Sequence, residues 1–245
     1  MIRLTIALLT WCLCSAPPLA AKPVIDVAQP LVEIRSFFSG ANILVFGAVA
    51  CGQPDCDLIV VVKGPPVPVT VRRKERVAGI WVNGKSERFN TAPGYFALAA
   101  TPPVQHILSE SGRLRAGLRD TTLFKPNDPN TADAAAFRSG LIDDLNQRGL
   151  YQPYTEAVSI KEGTLFRATL EAPAEVPTGA FEIKVFTVSD GDITSETQQT
   201  LTVKKAGFEA FVSDSAKKYP YFYGGISVFL ALIFGFVSAN IFSRP

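Results

Sequence analysis

Residues 57–64 read DLIVVVKG, and from Leu58 to Val62 the run is apolar on both faces. A strand built from it has no side to offer water, so it belongs in the interior of a sheet. Its neighbours have the same character. ILVFGAVA (43–50), PVTVRRKE (68–75), VAGIWVNGK (77–85), SERFN (86–90) and GYFALAA (94–100) are short, rich in β-branched and aromatic residues, and bounded by Gly, Pro or Asn. Asn83-Gly84 is the strongest turn dipeptide among them and predicts a hairpin between VAGIWV and KSERF. Trp81, just before it, is expected in the core.

A second β pattern occupies 153–205. VSIKEGTLFRATLEAP and GAFEIKVFTVSDGDITSETQQTLTVKK alternate apolar and polar residues, with Pro177-Thr178-Gly179 opening one strand and Asp190-Gly191 forming a turn. That order suits an antiparallel, immunoglobulin-like β-sandwich, although 155–205 alone is short against the usual ~100 residues of such a domain. The expected fold is therefore mainly β, with an N-terminal β-rich lobe (22–103) and a C-terminal immunoglobulin-like lobe (153–205). Whether the lobes share one core is left open by the sequence.

Between them, 104–152 reads as a helical connector. VQHILSESGRLRAGL follows Pro102-Pro103 with helical spacing at Val104, Ile107, Leu108 and Leu118, interrupted by Gly112. In ADAAAFRSGLIDDLNQRGLY, Phe137, Leu141, Ile142 and Leu145 form an apolar stripe opposite Asp143 and Arg148. Thr131 stands in the N-cap position and Gly149 at the stop.

The two ends have different fates. MIRLTIALLTWCLCSAPPLAA carries one cation at Arg3, an apolar run from Leu4 to Cys14 and a small-residue end at Leu19-Ala20-Ala21. This is the order of a secretory signal peptide (1–21), and its run of eleven residues is too short to span a bilayer. At the other end, Tyr221 to Phe242 holds 22 residues with no charged side chain. As a helix they extend about 33 Å, enough for a hydrocarbon core about 30 Å thick. The prediction is a transmembrane helix over 220–242, preceded by a juxtamembrane segment (206–219) and followed by a cytoplasmic tail (243–245). Tyr219, Tyr221, Phe222 and Tyr223 gather at its entrance, where amphipathic rings favour the membrane interface. Ser227, Ala231, Gly235 and Ala239 recur every fourth residue, a small-residue face for packing against itself or a membrane-protein partner. A signal peptide followed by one anchor implies an exported, single-pass protein with only a few residues facing the cytoplasm.

Export bears on the cysteines. Of four, Cys12 and Cys14 leave with the signal peptide, and Cys51 and Cys56 remain in VACGQPDCDL. In an oxidising compartment this spacing favours a disulfide across a turn; a redox pair or half a metal site are the alternatives. The formal net charge of +2 gives no argument for nucleic acid. The one charge cluster, Arg72, Arg73, Lys74 and Arg76 with Glu75 among them, is either a contact for anionic headgroups, an acidic partner or a small oxyanion, or the polar tip between two strands.

No nucleotide loop, Gly-x-Ser-x-Gly elbow or His-Glu-x-x-His motif is present. Asp143 and Asp144 point to different sides of a helix, and His106 is the sole imidazole. No catalytic site, metal site or cofactor is expected, and the chain reads as a non-enzymatic binding or assembly module.

LVFGA, VVVKGPP, VRRKERVAGIWVNG, PGYFALA, LFRATLEAPAEVPTGAFEIKVF and YGGISVFLALIFGF resemble the family named "alphaproteobacterial putative transmembrane protein", over nearly all of the mature chain. The resemblance implies a single-pass envelope protein, hence one of the bacterial inner membrane with its ectodomain in the periplasm, and supplies no catalytic residues. It also admits a second reading as an accessory subunit of a small-anion permease of the sulfite or sulfonate type, using Arg72 and Arg73. A third is redox or metal handling through Cys51 and Cys56.

Overall fold

The computed structural model describes residues 23–35, 38–49, 56–129, 132–155, 158–206, 212 and 215–242. The predicted signal peptide (1–21), Cys51, the Thr131 cap and the tail 243–245 lie outside the described residues.

Among the described residues twelve strands, numbered along the chain, form three sheets. β1 (Val24–Val27), β3 (Gly40–Ala48), β9 (Val158–Lys161) and β10 (Leu165–Pro173) make an antiparallel sheet in the order β1-β3-β10-β9. A second sheet, ordered β2-β12-β11-β4-β7-β8, contains β2 (Leu31–Ile34), β4 (Asp57–Lys63), β7 (Phe96–Ala100), β8 (Tyr151–Thr155), β11 (Gly179–Ser189) and β12 (Asp192–Lys205). β5 (Val69–Val77) and β6 (Ile80–Phe89) pair only with each other.

The fold is mainly β, as the sequence predicts, but the six-stranded sheet is mixed rather than antiparallel throughout. Its two edge strands join in parallel, β2 on β12 and β8 on β7. Neither arrives from a hairpin: β2 precedes its partner by most of the chain, and β8 follows β7 only after the helical connector. Long connections free a strand to add in either direction.

β4 lies where its sequence demands, between β11 and β7, with Leu58 to Val62 all buried. One of its faces meets the four-stranded sheet. Phe166, Ala168, Leu170 and Ala172 of β10 and Phe181, Ile183 and Val185 of β11 alternate inward and belong to one contiguous core. Tyr95 ties the layers together: its ring lies 5.9 Å from that of Phe181, and its hydroxyl donates to the Glu171 carbonyl at 2.8 Å. Strands from both ends of the β-rich body contribute to both sheets, so the two sequence lobes share one core.

The connector covers the outer face of the six-stranded sheet. It comprises α1 (Val104–Ile107), α2 (Glu110–Arg115), α3 (Asp120–Leu123) and α4 (Ala134–Gln147). Phe96 stacks on Tyr151 at 5.5 Å, and Phe124 meets Tyr151 edge-on at 5.4 Å. Phe137, Leu141 and Leu145 of α4 are buried, and the helix stops at Gly149, whose φ of +68° suits glycine.

Two local expectations are corrected. The break in the first helical stretch falls at Leu108-Ser109, not at Gly112. The Ser109 hydroxyl accepts the Gly112 amide at 3.1 Å and caps α2, while the Leu108 side chain packs over Gly112 within the space a Cβ would fill. The hairpin of β5 and β6 turns at Ala78-Gly79, with φ of +49° and +86°, and not at Asn83-Gly84. Asn83-Gly84 instead faces an irregularity between Arg72 and Lys74, and the Glu75 carboxylate lies across Gly84. The turn falls five residues before Asn83-Gly84 because the Ala78-Gly79 turn is the one that pairs Val69 with Phe89, whose ring is buried in the body.

Candidate membrane anchor and projecting hairpin

The anchor is α5 (Pro220–Phe242). Among the described residues it is the one helix long and apolar enough to cross a bilayer, over Pro220–Ala239, and none of that span is buried in the protein. Ser227, Ala231, Gly235 and Ala239 are all exposed along it. The Ser227 hydroxyl donates to the Tyr223 carbonyl at 2.9 Å, so its polarity is satisfied within the helix. Tyr221 and Phe222 stand exposed in its first turn with Tyr223, and the Lys218 ammonium lies 5.6 Å from the ring of Tyr219. Cations and aromatic rings thus meet where the apolar span begins.

The second feature is the hairpin of β5 and β6. Its base is fixed to the body. Phe89 is buried, and the buried Glu87 carboxylate accepts the amides of Asn127 and Asp128 at 3.1 and 3.2 Å. Midway, Asp133 at the start of α4 receives Arg73 at 3.3 Å and Lys85 at 3.4 Å, while the Arg73 guanidinium sits 5.3 Å over the Phe137 ring. The Lys85 hydrogen bond, then the Arg73 charge, hold the Asp133 carboxyl below its usual range. Beyond that point the ribbon is exposed from Lys74 to Asn83.

The basic cluster is therefore divided. Arg73 is committed to Asp133 and Phe137. Among the described residues no carboxylate lies within ion-pair reach of Arg72, Lys74 or Arg76. Arg76 stays at the tip, donating to the Gly79 carbonyl at 3.4 Å. Trp81 is not in the core: it is 66% exposed, beside Val77 at 57% and Ile80 at 69%. The sequence reading missed Asp133 and Glu87 as the residues that hold the ribbon. Their partners lie about 40 to 60 positions away, so no local pattern could have found them.

The other candidates are dispersed. Asp143 and Asp144 are exposed on α4, where Asp144 pairs with Arg148 at 3.4 Å. His106 is exposed on α1. Cys56 sits immediately before β4, on the connection that crosses from one sheet to the other. Among the described residues no three His, Cys, Asp or Glu side chains gather as metal ligands. A cleft of about 320 Å³ opens beside Asn42, Gln152 and Glu171, but the Gln152 amide is spent on the carbonyls of Gly149 and Glu171 at 3.1 and 2.9 Å.

No curated protein matches the chain. A family described as "Putative transmembrane protein (Alph_Pro_TM)" matches residues 23–244, from just before β1 to just past α5. With the apolar helix and the β-rich body inside that match, the chain belongs to this transmembrane protein family.

Proposed function

We propose that the chain is a single-pass protein of the bacterial inner membrane, exported by its signal peptide, whose periplasmic β ectodomain is a non-enzymatic assembly module for another membrane protein. The observation that carries this reading is α5: an apolar helix with no part of its span packed on the ectodomain needs another apolar surface. Lipid supplies most of it. The face of Ser227, Ala231, Gly235 and Ala239 lets a second helix approach closely. Cys56 is disulfide-bonded, and Cys51 is the partner we assign to it. Closing that short loop between the sheets would add about 2 kcal/mol.

Membrane integration and orientation have a direct test. Alkaline carbonate should leave the full chain in the pellet, and a fluorescent protein fused after Pro245 should be active while an alkaline phosphatase fused there should not. Release by carbonate, or the opposite reporter pattern, would overturn the topology.

Helix packing has its own test. Gly235→Leu places a large side chain on the small-residue face and should weaken any complex seen by blue native electrophoresis about tenfold. An unchanged pattern would leave α5 as an anchor only.

A further inference from the structure

We propose that the tip of the β5–β6 hairpin is a second membrane contact, which seats Trp81 and Ile80 at the anionic phospholipid surface of the bilayer that α5 spans. The inference rests on the anchor reading and adds a lipid-binding site to it.

Three observations converge. The first is the apolar tip: Val77, Ile80, Trp81 and Val82 surround the Ala78-Gly79 turn and are exposed in the same few residues. An isolated exposed leucine needs no explanation, but a clustered apolar tip on a ribbon does. The second is its charge. Residues 69–89 hold six cations (Arg72, Arg73, Lys74, Arg76, Lys85, Arg88) and two carboxylates (Glu75, Glu87), a net +4 on a chain whose formal total is +2. The remainder of the chain is thus net negative, and positive charge is concentrated on the element that carries the apolar tip.

The third is the register. Arg76 pairs across the ribbon with Trp81, and Lys74 with Asn83, so two cations without carboxylate partners among the described residues share a face with the indole. Val77 pairs with Ile80 and Glu75 with Val82 on the opposite face, where the Glu75 carboxylate is folded over Gly84. An indole with cations just behind it is the arrangement favoured at a headgroup interface, where the ring enters the acyl boundary and the cations meet phosphates.

The ribbon is built to reach. Asp133 and Glu87 fix its lower half to the body, leaving the four pairs from Lys74–Asn83 to Val77–Ile80 to project. At about 3.4 Å per residue this is a reach of roughly 12 Å. The body itself cannot drift far. The fourteen residues 206–219 join β12 to α5, and fully extended they span at most about 50 Å.

The test uses the exported chain from Lys22 to Pro245, in which Trp81 is the sole indole because Trp11 leaves with the signal peptide. It is placed one chain per nanodisc, so that only the disc holding α5 is within reach. Discs of pure phosphatidylcholine are compared with discs of about two parts phosphatidylcholine to one part phosphatidylglycerol, each with and without brominated acyl chains. Trp81 should be quenched by bromine and shielded from acrylamide in the anionic discs, and open to acrylamide in the neutral ones. Lys74→Glu with Arg76→Glu should lower the ratio of lipid-seated to free tip by about a hundredfold. Ile80→Asp should also release it. All three positions are exposed, so the fold should survive, and circular dichroism checks that it does.

Equal acrylamide access in both discs, or shielding untouched by the charge reversal, would overturn the proposal. So would shielding that appears only when two chains share a disc, which would make a second copy the occupant. Flotation of the same discs reads α5 independently: a chain that floats while Trp81 stays in water sinks the hairpin contact alone.

Discussion

Phe181→Ala is expected to destabilise the β-rich body by about 3–5 kcal/mol, the range for deleting a fully buried aromatic ring. Phe181 has no exposed surface; its ring faces Tyr95 and lies 3.1 Å from where a Cβ on Gly64 would stand. Nothing small can follow the ring inward, because backbone hydrogen bonds hold this segment, the Gly64 amide donating to the Tyr95 carbonyl at 2.8 Å and the Gly94 amide to the Pro65 carbonyl at 2.9 Å. For a body of this size the midpoint should fall by roughly 6–20 °C.

The form of the transition matters as much as its position. Phe181 belongs to the C-terminal sequence lobe, Gly64 and Tyr95 to the N-terminal one. With one shared core, the near-ultraviolet circular dichroism of the buried Tyr95 and Tyr151 and the far-ultraviolet signal should shift together in a single transition. Two separated transitions, with only one moved by the substitution, would show that the lobes fold as independent units.

The second large effect is alkaline. Burial, then the Glu171 charge, raises the Tyr95 phenol above its ordinary 10.0. Burial, then the hydrogen bond it donates to Asp120, does the same for Tyr151. In the unfolded chain both phenols ionise near pH 10, while in the folded protein they remain protonated well beyond it. Their contribution is therefore complete below about pH 10 and is lost as the pH rises towards the folded values. Each tyrosine should remove about 1.4 kcal/mol per pH unit above about 10, so the pair should remove roughly 4 kcal/mol by pH 11.5. Urea midpoints measured from pH 9 to 11.5 should decline accordingly, and Tyr95→Phe should halve the slope. A flat profile would contradict the burial of both hydroxyls.

What the sequence disclosed, and what it did not, follows from the range of the forces involved. Leu58 to Val62 announced an interior strand because five apolar residues in succession have no solvent-compatible face. The stripe of Phe137, Leu141 and Leu145 and the turn at Asp190-Gly191 were legible for the same reason: their cause lies within a few residues. The charge-free tail was plainer still, since a bilayer imposes length and composition together.

The basic ribbon departs from its sequence pattern in three places. Asn83-Gly84 is intrinsically the better turn, yet Phe89 and Glu87 must reach the body, and tertiary burial outweighed the local preference. Trp81 was assigned to the core because size and apolarity usually decide burial, and only the ribbon's projection reverses that. Arg73 looked like its neighbours in the sequence, but the structure commits it to Asp133 and Phe137. The site is thus half legible: composition marked the residues, and long-range contacts sorted them.

β12 carries a mechanical implication. It is the strand from which the chain leaves for α5, and it is laced to β11 along almost its whole length, while its last four residues, Thr202–Lys205, run alongside β2. Tension arriving from the bilayer would pull β12 lengthwise, loading many rungs simultaneously in shear instead of unzipping them singly. The parallel clamp of β2 sits at the point where that load enters, so the module is braced to stay folded while its anchor is tugged.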